Sequence, residues 1–532
     1  MSPKQSGVQN RGIARVVVRT KHALASERPT QPDRSRRMPT SGLSSRPLRV
    51  AARGRLIRCL LPCTTLPMAR AMSTVAHLRS ELASGRTTSR ALVDEALAKI
   101  EDPSGEGSRA YMKVYADLAR AEADASDKLR AAGVVRSPVE GLPISVKDLF
   151  DVAGDVTLAG SKALASQAPA ERDAPVIAKL RAAGAVILGR TAMTEFAFGG
   201  VGTNPHYGTP RSPYGRDDGS GGRVPGGSSS GAGVAVADGL CVMGLGTDTR
   251  GSVRIPSALC GVTGFKPTAS RVDKSGAFPL SYTLDSVGPL ANSIECCAIF
   301  DAILSGERPA AEASAPEPLP LRGLRLLLPS PSCFVMKDLD AAVTKAFDRA
   351  VSALESAGAM VTVREAPCFD AAHALYESGG FAGPESFQIH RETLEAHGEL
   401  YDPNVAARIR LGAELKAADY VQRGIDRARI IGESAALLAG FDAMIMPTVA
   451  CIPPTIADCE SSMETYAQYN LLLLRNTGLI NMLDGCAASL PCHTNGEPPV
   501  GLMVAGLAGE DKHVLAAARA VEGALADALA IN

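Results

Sequence analysis

The chain has 532 residues, 56 basic and 56 acidic side chains, and 45% apolar content, enough to bury a large α/β core in one domain or two. No stretch reaches the roughly 18 consecutive apolar residues of a membrane-spanning helix, so no such span is indicated. The zero formal charge hides an asymmetry: residues 1–71 carry 15 Lys and Arg against Glu27 and Asp33, so the remainder is net acidic.

Residues 1–71 are rich in Arg, Ser and Pro and lack helical periodicity. They are expected to be a disordered basic N-terminal extension, or upstream sequence ahead of a true start at Met68 or Met72. Transit peptides share this composition. Nucleic-acid binding through the basic run is disfavoured because the segment has no aromatic residue, and the Leu60-Leu61-Pro62 patch is too short for a secretory signal. The twelve cysteines form no C-x-x-C pair, and several sit in apolar runs. Buried free thiols in a reducing, cytoplasmic setting are expected, with neither disulfides nor a metal site.

Folded structure is expected from 72 to 532. Residues 75–82 predict a helix ended by Gly85. Thr88 caps a second, with Leu92, Val93, Ala96, Leu97 and Ile100 as its apolar stripe. A strand at 110–115 and an Ala-rich helix at 116–132, stopped by Gly133, come next. Leu142, Ile144 and Val146 then alternate along a strand that closes on Lys147. Residues 174–183 predict a helix and 185–188 a strand. Such alternation argues for a mainly parallel sheet covered by helices. Ten glycines fall between 199 and 227, and a loop of that length inside a domain is usually functional. It leads to the turn Gly226-Gly227-Ser228-Ser229-Ser230-Gly231, a small-residue run at 232–240, a strand at 241–245 and a second tight loop at 246–252. Beyond it, 285–289 predicts a turn before a helix, and 306–320 a surface connector. Strands are expected at 324–328, 360–363, 441–446 and 500–504, a helix at 339–356, and a largely helical, irregular region at 371–440.

Two serine-bearing glycine turns therefore flank one helix–strand unit. Glycine lets backbone N–H groups point at a ligand, and a hydroxyl beside such a nest suits acyl transfer. Serine needs a base. None of the eight histidines falls between His77 and His206 or between His206 and His373. Lys147 is the better candidate, because burial at a strand end lowers a lysine's pKa and leaves it neutral near pH 7, and Ser–Lys pairing is a known variant of the triad.

Lys147 in GLPISVKD, Ser228 in PGGSSSG and Ser252 in GTDTRGSVRIPSALCGVTGFKPT resemble the amidase signature family of serine hydrolases. Gly189-Arg190-Thr191, Glu195-Phe196 and Pro499-Val500-Gly501-Leu502 extend the likeness, which covers roughly residues 73–526. The resemblance implies an α/β/α sandwich around a large mixed β-sheet and hydrolysis of a small-molecule amide, without metal or organic cofactor. It implies Ser252 as nucleophile, Ser228 (after a cis peptide bond) as proton relay, Lys147 as base, and the N–H groups of Thr249, Arg250, Gly251 and Ser252 as oxyanion hole. It assigns the middle region to the substrate pocket and leaves a homodimer open. One departure stands out: the family usually has Gly-Gly before the nucleophile, and here Arg250-Gly251 replaces it. The N–H survives at Arg250 if φ is negative; the side chain either points to solvent or overhangs the pocket and favours acidic substrates.

Rival readings carry their own tests. Gly227-Ser228-Ser229-Ser230-Gly231 satisfies G-x-S-x-G with Ser229 as nucleophile and His493 or His513 as base, but that elbow must follow a hydrophobic strand and here follows GRDDGSGGRVP. The glutaminase-type component of the tRNA-dependent amidotransferase usually carries a block resembling ARYDGVRYG, whereas this chain reads GGFAGPESFQIHRETLEAHG. A non-catalytic scaffold would have lost a triad member, and none is lost. Asp248 and Arg254 are expected to brace the loop as an ion pair; Glu195 and Asn204 line the cleft or hold turns, and His206 is not expected to act as the base.

Overall fold

This computed structural model describes residues 74–529; the extension expected at 1–71 lies outside them. Thr74 Oγ1 accepts from His77 N at the head of helix Val75–Ala83, and Thr88 Oγ1 accepts from Ala91 N at the head of Ser89–Glu101. A hydroxyl at that position satisfies an N–H that the helix cannot. Val93, Ala96, Leu97 and Ile100 of the expected stripe are buried, and Leu92 is half-buried.

One 11-stranded sheet spans the described residues. Its strands are β1 (Tyr111–Val114), β2 (Pro143–Lys147), β3 (Val186–Thr191), β4 (Met243–Asp248), β5 (Thr263–Lys266), β6 (Ser286–Ala291), β7 (Arg325–Pro329), β8 (Met360–Arg364), β9 (Ala443–Pro447), β10 (Cys486–Pro491) and β11 (Gly501–Gly506). They lie in the order β1-β3-β2-β4-β6-β5-β10-β11-β9-β7-β8. Pairing is parallel within β3-β2-β4 and β9-β7-β8 and antiparallel elsewhere. The sheet is thus mixed, as the resemblance implied, and not mainly parallel as the alternation suggested. The alternation held only in its two parallel groups; β5, β6, β10 and β11 between them form an antiparallel middle.

The turn expected at 285–289 is instead the start of β6. Its Gly288-Pro289 reads locally as a turn, but pairing to β5 stops at Leu290, so Pro289, which has no N–H, need not extend it. Gly288 allows a close approach: a Cβ there would stand 2.1 Å from Phe265 O. The connector at 306–320 carries only the short turn Ala310–Glu312.

Both faces of the sheet are covered. Along β9 and β11, Ile445, Leu502 and Val504 join a core cluster shared with the helices Ile294–Ser305, Ala341–Ser356 and Asp511–Leu529. The alternate residues Met444, Met446, Met503 and Ala505 join another, with Pro367–Glu377 and the end of Met463–Met482. This period of two is what a strand between two helical layers must show. No helix among the described residues is long and apolar enough to cross a membrane.

Candidate active site

β2 and β4 run side by side in parallel, with Ile144 opposite Met243 and Val146 opposite Leu245. Their carboxyl ends bring Lys147 to Thr247. Lys147 is fully buried, and its Nζ donates to Ser228 Oγ at 2.7 Å and to Thr247 Oγ1 at 2.9 Å. Burial pulls the amine down from 10.5 to about 7, against the opposing charges of Asp285 and Asp248. Such an amine is substantially neutral at pH 7 and can take a proton.

Ser228 closes the glycine-rich loop, and its peptide bond with Gly227 is cis. Ser228 O accepts from Thr194 N at 3.1 Å, while Ser229 N donates to Ser252 O at 3.3 Å, so backbone bonds join the two serine loops. The helix that follows, Ser230–Ala237, packs closely: a Cβ on Gly231 would sit 2.3 Å from Ala110 O.

The loop after β4 is organised by Asp248. Its buried carboxylate accepts from Gly251 N at 2.8 Å, Val253 N at 3.2 Å and Asn481 Nδ2 at 3.0 Å, and pairs with Arg254 Nη2 at 2.9 Å. Burial pushes that carboxyl up, but the Arg254 guanidinium outweighs it and holds it at about 2. Arg254 is thus the expected brace. Gly251 takes the left-handed conformation, φ 127°, and Arg250 is not among the positive-φ residues, so replacing the usual glycine with Arg250 costs no backbone strain. Of the four N–H groups in the expected oxyanion hole, that of Gly251 is given to Asp248, whereas those of Thr249, Arg250 and Ser252 have no acceptor among the described residues.

Ser252 is 2% exposed. Among the described residues no hydrogen bond joins its hydroxyl to Ser228, so the fold sets the two serines in adjoining loops, joined through their backbone rather than their side chains. At the end of β4 lies a cavity of about 310 Å³ lined by Thr247, Thr249, Phe278, Tyr282 and Asp285. Asp285, half-buried, accepts from Thr249 Oγ1, Leu280 N and Ser281 N; desolvation raises its carboxyl, and those donors partly oppose this.

Thr247, Asp285 and Asn481 escaped the sequence reading. Thr247 stands near the end of β4, inside the stretch read as the second loop, but no spacing rule marks it; Asp285, just before β6, and Asn481, near the end of Met463–Met482, come from distant parts of the chain.

The remaining candidates take structural places. Asn204 Nδ2 donates to Gly160 O and Met193 O, both at 2.8 Å. Glu195, raised to about 7 by burial, accepts from Ser161 Oγ and Asp402 N, both at 2.7 Å, and meets His206 Nε2 at 2.9 Å. His206 is tied to that carboxyl and to neither serine. No strand precedes the turn at Ser229, whose buried Oγ has no partner. His493 bonds to Val500 and His513 faces Asp442. The elbow reading therefore lacks its strand, and among the described residues no histidine bonds to Ser229.

Residues 91–515 match the profile of the Amidase family. The chain belongs to the amidase family. This amidase-family chain is 35% identical over 405 residues to the 2-amino-5-chloromuconic acid deaminase of Comamonas testosteroni, a match covering 76% of this chain and 86% of the relative. It is 30% identical over 481 residues to a glutamyl-tRNA(Gln) amidotransferase subunit from Synechococcus sp. (strain CC9605), covering 85% and 96%. A crystal structure of an amidase superposes with a TM-score of 0.74 at 33% identity, covering 85% of this chain and 99% of that one.

Proposed function

We propose that this amidase-family chain hydrolyses a linear carboxylic amide to carboxylate and ammonia (or amine) through an acyl group on Ser252. The observation that carries the reading is the buried Lys147, its amine pulled down to about 7, with Nζ 2.7 Å from Ser228 Oγ. Lys147 takes the Ser228 proton as Ser228 takes that of Ser252, and the freed Ser252 Oγ attacks the carbonyl carbon. The N–H groups of Thr249, Arg250 and Ser252 receive the charge on the carbonyl oxygen; losing one such donor typically costs about 10²–10³ in turnover. Asp248 and Asp285 stabilise the lysine ammonium. That ammonium returns the proton through Ser228 to the leaving nitrogen as the C–N bond breaks. Water then repeats the attack, and the acid leaves.

Testing requires a panel of amides followed by mass spectrometry on wild type and Ser252→Ala. The expected result is an acyl adduct that maps to Ser252 in wild type and is absent from the variant. Amide cleavage undiminished in Ser252→Ala would overturn the reading.

The near-full-length likeness to the amidotransferase component favours one second reading, a glutaminase partner in such a complex. It requires glutamine turnover only when partner proteins are added, whereas the preferred reading requires ammonia release from simple amides by this chain alone.

A further inference from the structure

Two arginines flank the nucleophile, and their surroundings differ. Arg254 is buried against the Asp248 carboxylate and Asn481 Oδ1 at 2.7 Å. Arg250 pairs with no carboxylate among the described residues. Its guanidinium carbon lies 4.0 Å from the centroid of the Tyr376 ring, and its buried Nε has no hydrogen-bond partner. The residue as a whole is only partly buried, so the rest of the fork stays reachable.

The place for this side chain is built. Thr477 Oγ1 donates to Arg250 O at 2.7 Å, and Tyr376 Oη donates to Gly478 O at 2.8 Å. A Cβ on Gly478 would stand 2.9 Å from Arg250 Cγ and 3.0 Å from its Nε. The missing side chain leaves the slot in which the guanidinium lies on the aromatic face. A second cation, Arg475, lies on the same helix as Gly478; it bonds Asn476 Oδ1, but its buried Nη2 has no partner. His373 is held toward its neutral form by burial and by the charges of Arg250 and Arg475, against Glu377. An uncompensated guanidinium beside an acyl site is costly to leave unpaired and well shaped for a carboxylate, which it meets with two parallel N–H···O bonds.

We propose that Arg250 is the specificity-determining residue of the site and that the substrate is an amide bearing a second, free carboxylate, which docks on the Arg250 guanidinium. This rests on amide hydrolysis at Ser252 as read above. The side chain then selects the substrate while its backbone N–H faces the oxyanion.

The test compares the monoamides of succinic, glutaric, adipic and fumaric acids with their methyl esters, in wild type and Arg250→Gln. The ratio of kcat/KM between each acid and its ester is independent of any general damage to the oxyanion loop. Wild type is expected to prefer at least one acid over its ester by about 10- to 10²-fold, chiefly through KM. In Arg250→Gln the ratio should fall to near one, and Arg250→Lys should restore part of it. If Arg250→Gln misfolds by circular dichroism, the ratio in Gly478→Val, which crowds the guanidinium from its slot, gives the same reading. Esters and acids cleaved equally well by wild type would overturn the role of Arg250 and leave the amidase reading standing. A ratio unchanged in a folded Arg250→Gln would do the same. No turnover of any amide would end both.

Discussion

A fully buried lysine with two hydroxyls in reach is a poor site for a charge and a good one for a base. The rate should follow its titration: kcat/KM is expected to rise with pH through about 7 and then level off, and a profile flat down to pH well below that would exclude Lys147 as base. Lys147→Ala should lower kcat/KM by about 10²–10⁴-fold, read on any substrate the amide panel yields. Stability carries the same signature. The folded-state value, about 7, lies below the usual 10.5, so between those pH values the unfolded chain binds more protons and stability rises with pH. The penalty is complete below 7 and gone above 10.5. Denaturant melts at neutral and mildly alkaline pH should therefore show wild type gaining on Lys147→Met as pH rises; equal slopes would mean that the amine is not perturbed. At this scale the sequence was informative where chemistry is contiguous. Lys147, Ser228 and Ser252 each sit inside a motif of their own, and the strand pattern alone placed the lysine out of water. It could not reveal that Gly251 gives its N–H to Asp248, because that depends on how the loop folds back.

The loop after β4 behaves as one piece because a single carboxylate holds it. Asp248→Asn would leave the Arg254 guanidinium buried without its counter-charge, and breaking such a pair from one side typically costs about 3–5 kcal/mol. Chemical unfolding should report a loss of that order, with amide cleavage falling in the same variant. The pair's pH dependence comes from a carboxyl held low rather than an amine held low. The Asp248 carboxyl, at about 2 against an ordinary 3.8, contributes stability above 3.8 that is lost as pH falls toward 2. Acid unfolding that is unchanged in Asp248→Asn would refute this. Elements with hydroxyl caps and an apolar stripe, such as Ser89–Glu101, were legible. Met463–Met482 was not: its last turns, Thr477 to Met482, are buried on every side, so they carry no stripe to read. β6 hid behind Gly288-Pro289, whose meaning is set by two neighbouring strands.

Over the whole molecule, strands that meet in the sheet come from far apart in the chain, and the order β1-β3-β2-β4-β6-β5-β10-β11-β9-β7-β8 could not be read from local periodicity. What the alternation of helix and strand patterns did give was a sheet covered by helices; its two-sided covering came from the family resemblance. The ten cysteines among the described residues are all free and buried, and burial raises the thiols of Cys241, Cys260, Cys297 and Cys486, among others. The native protein should thus leave these ten unmodified by a thiol reagent, mapped by peptide mass spectrometry, until denaturant opens the fold. Rapid native labelling at any of them would show a looser core than the one described.

The register between β2 and β4 sets a parity condition on the chemistry. Successive side chains of a strand point to opposite faces, so removing one residue from 143–147 would aim the amine away from its hydroxyls even if the sheet closed normally. The proposed chemistry therefore depends on which face of β2 carries the amine, a condition imposed by the hydrogen-bond ladder between two neighbouring strands rather than by any residue at the bond being cut.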